Sequence, residues 1–211
     1  MEKIKYPKTL HLPWSPGLQN DDRLMSLEDV LLNFTGNEIV ITEKLDGENT
    51  TMYRTAIHAR SLDSVDHPSR SWVKALHGQI KYEIPTGWRI CGENCFAYHS
   101  IFYRHLETYF FVFSIWNENN EALSWDDTED YCNLFGLRTV PVLFRGEFDI
   151  RMIRGFENTL NLDTQEGYVV RNTKSFHYSN FQKNVVKYVR REHIQTDEHW
   201  MSKPVVKNLL K

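Results

Sequence analysis

Hydrophobic and polar positions along the chain alternate with two different periods, and the switches between them mark out the elements. In EIVITEK (38–44) a β-branched run carries charge only at its ends, which predicts a strand. NTTMYRT (49–55) follows an Asp46-Gly47 pair and is expected to return as the antiparallel partner of that strand. Further strands are expected at IHARSLDS (57–64), TVPVLFRG (139–146), EGYVVRN (166–172) and NVVKYVR (184–190), and at GWRICGENC (87–95) and YFFVFSIWN (109–117), the last two rich in aromatic or β-branched residues. Helical spacing is confined to shorter pieces. SLEDVLLNF (26–34) opens on Ser26 as an N-cap, has acids in its first turn and meets Gly36 just past its end. SWDDTEDYCNLFG (124–136) repeats that grammar, with Ser124, Asp126, Asp127 and a closing Gly136. SWVKALHGQI (71–80) and FDIRMIRGF (148–156) also have helical spacing, and so do the last twenty residues up to Pro204. YPKTLHLPWSPGLQN (6–20), with three prolines, predicts an extended arm that packs on the body. The mixture predicts an α+β chain with largely antiparallel sheets.

Composition adds bounds. A chain of 211 residues, 41% hydrophobic and 25% charged, suits one globular domain, 1–211. No apolar run approaches the ~20 residues of a membrane span, and MEKIKYPKTL lacks the apolar core of a secretion signal, so a cytoplasmic protein without membrane contact is expected. The three cysteines, Cys91, Cys95 and Cys132, are an odd set with no second Cys or His pair to complete a zinc site, which predicts free thiols. The net charge of -3 hides an asymmetry. Residues 171–211 hold nine Lys or Arg against three acids, whereas the rest of the chain is acidic, a distribution that suits a polyanion-facing tail.

The candidate chemistry lies at strand ends. Lys44 closes an apolar strand just before Asp46 and Gly47. Because strand side chains alternate, Thr42 and Lys44 share one face and Glu43 takes the other. Glu93 and Glu166 sit beside glycines, Phe113 lies in an aromatic run, and Lys187 interrupts the apolar VVKYV. A charge embedded in an apolar β run is costly unless it lines a cavity or meets a partner. His193 and His199, six apart, would not face one way on a helix and do not predict a metal pair. No glycine-rich phosphate loop ending in Lys and Ser or Thr is present.

Taken in order, KLDGEN (44–49), ARS (59–61), CGEN (91–94), FFVFSIW (110–116), EGYVVR (166–171) and VVKYVR (185–190) resemble the motifs of the covalent nucleotidyltransferases, and of the ATP-dependent RNA ligase family in particular. The resemblance implies an α+β nucleotidyltransferase (ATP-grasp-like) fold, with largely antiparallel sheets flanking a nucleotide cleft and peripheral helices. It implies that Lys44 attacks the α-phosphate of ATP and carries AMP, and that RNA 5′-phosphate and 3′-hydroxyl ends are then joined. It further implies main-chain contact of Glu43 with adenine, phosphate contact by Asn49 and Arg60, ribose contact by Glu93, stacking of Phe113 on adenine, Mg²⁺ or Mn²⁺ at Glu166, and α-phosphate contact by Lys187. Two motif positions depart from the family: Val189 stands where a second lysine is usual, and Ser114 where an aspartate is frequent. The twenty-one residues that follow Arg190 are too few for the oligonucleotide-binding barrel that DNA ligases and capping enzymes append, so a single domain without that barrel is expected. The alternatives left open are a DNA ligase, a capping-type guanylyltransferase, and a non-catalytic nucleotide- or RNA-binding module. The residues name no protein partner.

Overall fold

Two β-sheets form opposite walls of a cleft, and the chain crosses from one to the other immediately after Lys44. The structure, a computed structural model, describes residues 2–19, 21–63, 66–161, 163–191 and 204–211. In chain order the strands are β1 (Leu10–His11), β2 (Glu38–Lys44), β3 (Glu48–Tyr53), β4 (Ile57–Ala59), β5 (Arg89–Asn94), β6 (Phe110–Trp116), β7 (Glu121–Ala122), β8 (Arg138–Thr139), β9 (Val142–Glu147), β10 (Gly167–Asn172), β11 (Phe176–His177) and β12 (Val185–Val189). The α-helices are α1 (Leu27–Phe34), α2 (Ser71–Ile80), α3 (Trp125–Phe135), α4 (Ile150–Gly155) and α5 (Phe181–Asn184). One sheet runs β1-β12-β10-β2-β9; the other runs β11-β7-β6-β5-β3-β4, with β8 beside β6. Among the pairs of named strands, β1–β12 and β6–β8 are parallel and the rest antiparallel.

The expected β2–β3 hairpin does not form. Both edges of β2 are occupied by β10 and β9, and β3 pairs with β4 and β5 in the other sheet. The chain bends at Gly47, but a turn signal says nothing about which strands take the ladder bonds. Gly47 is required by space: a Cβ there would lie 2.6 Å from the Asn94 carbonyl oxygen and 3.1 Å from Cys95 Sγ. The 57–64 run supplies only the three residues of β4, and the 139–146 run splits into β8 and β9 around Pro141. Pro141 has no N–H for the ladder, and its carbonyl instead accepts the Glu43 N–H at 2.8 Å. The helices begin where the caps predict. Ser26 and Ser124 accept the Asp29 and Asp127 N–H groups, and Gly136 closes α3 in the left-handed region at φ 65°.

Alternation along the first sheet divides its faces. Ile39, Ile41, Tyr168, Val170, Val186 and Tyr188 form the core behind it with Val30 and Phe34 of α1. Tyr168 and Tyr188 stack at 5.0 Å, tilted by only 8°. The intervening residues Thr42, Lys44, Val169, Val185 and Lys187 face the cleft. The arm is extended as expected, but it also enters the sheet as β1. Residues 204–211 run extended, with bridges from Lys207 to Ala97 and from Leu210 to Leu106. The terminal helix expected up to Pro204, with His193 and His199, lies outside the described residues. Cys91, Cys95 and Cys132 are buried free thiols.

Candidate active site

Register builds the first wall. Lys44 pairs with Gly167, so the residue before it, Glu166, delivers its Oε2 2.6 Å from Lys44 Nζ. A Cβ on Gly167 would come within 2.0 Å of the Tyr188 carbonyl oxygen, so only glycine lets β10 approach β12 closely enough here. Val169 pairs with Thr42 on one side and Lys187 on the other, which brings both lysines to one face. On the second wall Asn49 pairs with Glu93. Phe113 arrives by a β-bulge: Gly92 pairs with Val112 and Cys91 with Ser114, leaving Phe113 as the extra residue. Its carbonyl accepts a bond from Arg171 Nη1 at 3.2 Å, and its ring borders the cleft.

The cleft, about 800 Å³, is lined by seven of the eight residues proposed from the sequence, Glu43, Lys44, Asn49, Arg60, Glu93, Phe113 and Lys187; Glu166 lies behind the lining, in contact with Lys44. That volume suits a nucleotide-sized ligand. Glu43 contributes from the edge, and its carboxylate turns away to accept a bond from Gln165 Nε2 at 3.1 Å. Asn49 Oδ1 and Arg60 Nε are buried without a hydrogen-bond partner, an arrangement that is costly unless a ligand supplies one. Asp46 serves structure. Its Oδ2 accepts from Ser100 N, Ser100 Oγ and Ile101 N, and its own N–H donates to Tyr103 Oη, pinning the turn that follows Lys44.

Electrostatics sets the resting state of the amine. Burial pushes Lys44 down, but Glu166, Glu93 and Asp46 outweigh it, so its pKa ends above the ordinary lysine value. Burial raises Glu93 to about 8 and raises Glu166 as well. Burial, then the neighbouring Lys44, lowers Lys187. Three carboxylates around one amine make a site short of positive charge. Among the described residues no group of three His, Cys, Asp or Glu side chains forms a ready-made metal cage. Mg²⁺, however, is commonly held by one or two carboxylates plus substrate phosphates and water, and a buried Glu166 beside the nucleotide cleft fits that mode.

The sequence points to no particular residue of the arm as part of the site. Tyr6, Pro7, Thr9 and Gln19 line the cleft, and the Tyr6 ring meets Phe113 edge-on at 4.9 Å. Nor does the sequence point to the Glu48–Arg70 ion pair at the cleft wall. No local signal marks either. The two departures lie off the cleft: Ser114 and Val189 are 1% and 2% exposed, and the Val189 carbonyl accepts the Gly17 N–H of the arm at 3.0 Å.

No curated protein sequence matches the chain. Among solved structures, an archaeal ATP-dependent RNA ligase shares the fold at a TM-score of 0.59 and 14% identity, covering 88% of this chain and 48% of its own. A Naegleria gruberi RNA ligase with PPi gives 0.55 and 16%, covering 88% and 57%. A variant of that ligase with ATP and Mn gives 0.55 and 16%, covering 88% and 58%. The chain thus spans about half the length of the solved structures it matches. No helix among the described residues is long and apolar enough to cross a membrane. A family model described as RNA ligase matches residues 37–189, a span that contains every cleft residue from Glu43 to Lys187 described above, and the chain belongs to the RNA ligase family.

Proposed function

We propose that the chain is an ATP-dependent RNA ligase that works through a lysyl-AMP intermediate on Lys44, with residues 1–211 acting as one adenylyltransferase unit. The observation that carries the reading is the convergence of Lys44, Glu93, Lys187, Arg60 and Asn49 on one cleft from five different strands or the residue just past one, with Glu166 against Lys44. In the first step the neutral Lys44 amine attacks the α-phosphorus of ATP; the N–P bond forms, the bond to pyrophosphate breaks, and the amine proton leaves. An RNA 5′-phosphate then attacks the same phosphorus and displaces Lys44. Finally a 3′-hydroxyl attacks the activated 5′ end and releases AMP.

This chain's residues supply orientation and charge. Phe113 and Val169 border the space for a flat base, and Glu93, held by the Gly47 N–H at 3.2 Å, is placed to meet the ribose. The unpaired Asn49 and Arg60 groups suit phosphate, including the RNA 5′-phosphate, and Lys187 suits the α-phosphate. Phosphoryl transfer depends chiefly on positioning and such a cationic clamp. A Mg²⁺ or Mn²⁺ at Glu166 would neutralise charge and compete with Lys44 for the carboxylate, freeing the amine. Repair of broken RNA in a reducing cytoplasm is the setting we assign, in keeping with three free buried thiols.

The test is incubation with α-labelled ATP and Mg²⁺ followed by denaturing electrophoresis. A labelled band near 25 kDa that Lys44→Ala abolishes supports the reading. No band from the intact chain sinks it and leaves a binding module. Labelling by GTP instead, or sealing of nicked DNA in preference to RNA, would reassign the substrate.

A further inference from the structure

Lys187 is held by a residue that lies outside the family-matched span. The arm's β1 runs parallel to β12 with His11 opposite Lys187, so both side chains project from the same face. Beyond β1 the arm loops back and places Asp22 against them. Asp22 Oδ1 lies 3.6 Å from Lys187 Nζ, and Asp22 Oδ2 lies 3.1 Å from His11 Nε2. Among the described residues Asp22 is the one carboxylate within ion-pair distance of Lys187. Asp22 is itself fixed: the Gln19 N–H donates to Oδ2 at 3.1 Å, and Lys8 Nζ stands 3.8 Å from Oδ1. His11, fully buried, is anchored at its other nitrogen by Ser15 Oγ at 2.9 Å, and Ser15 is locked to both the N–H and the carbonyl of Val189.

Serine, histidine and aspartate in a row suggest hydrolase chemistry, but this hydroxyl is 3% exposed and already bonded to Val189 on both its donor and acceptor sides. The chain of contacts therefore ends in Lys187, not in a nucleophile. A lysine loses the rotamer freedom of a long, flexible stem on being fixed, and burial favours its neutral form. A carboxylate at 3.6 Å opposes both tendencies while leaving the ammonium hydrogens open to a ligand.

We propose that Asp22 is a positioning residue for Lys187, fixing its ammonium at the cleft wall ready for the nucleotide α-phosphate. The proposal rests on the ligase reading for the phosphate and goes beyond it in giving the arm a part in the chemistry. In the full chain, formation of the protein–AMP adduct is measured against ATP concentration for D22N, D22E, K187A and the double variant D22N/K187A. D22N is expected to slow the maximal rate roughly 10- to 100-fold, the scale of a misplaced contact group, with KM for ATP changed less. D22E is expected to recover most of the rate. In the K187A background D22N should have no further effect, because the two act as a unit. Equal losses in both backgrounds, or a wild-type rate in D22N, overturn the proposal. A second readout separates its failure from that of the ligase reading: acylation of Lys187 by acetic anhydride, followed by peptide mass. Faster labelling of Lys187 in D22N supports the tether even if K187A forms adduct normally, in which case the α-phosphate role of Lys187 is what fails. Unchanged labelling overturns the tether.

Discussion

Lys44 Nζ and Glu166 Oε2 stand 2.6 Å apart because Lys44 and Gly167 are register partners on neighbouring antiparallel strands. The nucleophile of the proposed reaction thus rests as an ion pair whose carboxylate disfavours the neutral amine. Asp46 adds to that effect, and Glu93 does so once it ionises above about pH 8. At an ordinary lysine pKa roughly one amine in 2500 is neutral at pH 7, and here the fraction is lower. The rate of adduct formation is therefore expected to climb from pH 7 through pH 9. Glu166→Gln removes a negative charge, lets the Lys44 pKa fall, and should move the profile toward acid, while costing maximal rate through loss of the carboxylate proposed to hold the metal. Profiles of E166Q and wild type that superimpose after scaling would contradict this electrostatic account.

Glu93 makes the stability of the ligand-free protein depend on pH with an unusual sign. Its folded-state pKa of about 8 lies above the ordinary 4.5, with burial the largest cause. Between those values the folded protein holds a proton that the unfolded chain has released, so stability falls as pH rises through the window. Glu93→Gln keeps an oxygen to accept the Gly47 N–H and cannot ionise. Relative to wild type, E93Q should melt a few degrees higher at pH 8, a shift of ~2–4 °C per kcal/mol for a chain of this size, with the gap closing toward pH 5. Thermal scans at both pH values decide it; a gap independent of pH would mean that Glu93 is not charged at a cost.

Phe113 separates base binding from chemistry. Its ring reaches the cleft from the bulge of β6, braced edge-on by Tyr6. Base–aromatic stacking is worth ~1–3 kcal/mol by alanine substitution, so Phe113→Ala should raise KM for ATP by about 5- to 160-fold. The maximal rate should fall far less, since no reacting atom is touched. A Trp at 113 is expected to keep most of the affinity. Kinetics of adduct formation give both numbers, and a loss confined to the maximal rate would place the base elsewhere.

These residues differ in how visible they are in the sequence. Lys44, Glu93, Phe113, Glu166 and Lys187 stand out because each is a charged or aromatic residue at the end of, or inside, a strand whose β-branched composition is unmistakable. The helix ends are equally legible, since Ser26, Ser124 and Gly136 act through neighbours only three or four residues away. What the sequence hides is pairing over long separations. The Asp46-Gly47 turn looks like a hairpin, yet β2 and β3 find partners in different sheets. The arm reads as proline-rich packing, yet Leu10 and His11 add a parallel strand to Val186 and Lys187 and carry Asp22 into the site. Val189, read as a lost lysine, is buried where the arm crosses β12.

Asn208 ties the C-terminal segment to the turn after Lys44, which gives a last prediction. Its side chain is fully buried: Oδ1 accepts the Tyr103 N–H at 2.9 Å, and Nδ2 donates to the carbonyls of Cys95 and Ala97 at 2.9 and 3.2 Å. The loop so clamped supplies Ser100, Ile101 and Tyr103, the groups that hold Asp46. Asn208→Ala leaves three buried backbone groups unsatisfied at ~1–3 kcal/mol each before relaxation, so a loss of about 3 kcal/mol is expected in urea unfolding. Asn208→Asp can still accept from Tyr103 but sets a carboxylate against two carbonyl oxygens, so it should be at least as damaging. Because the same loop fixes Asp46, adduct formation on Lys44 should drop under conditions where both variants remain folded. A folded N208A that forms adduct at the wild-type rate would show that the clamp stabilises the loop without setting the position of the amine.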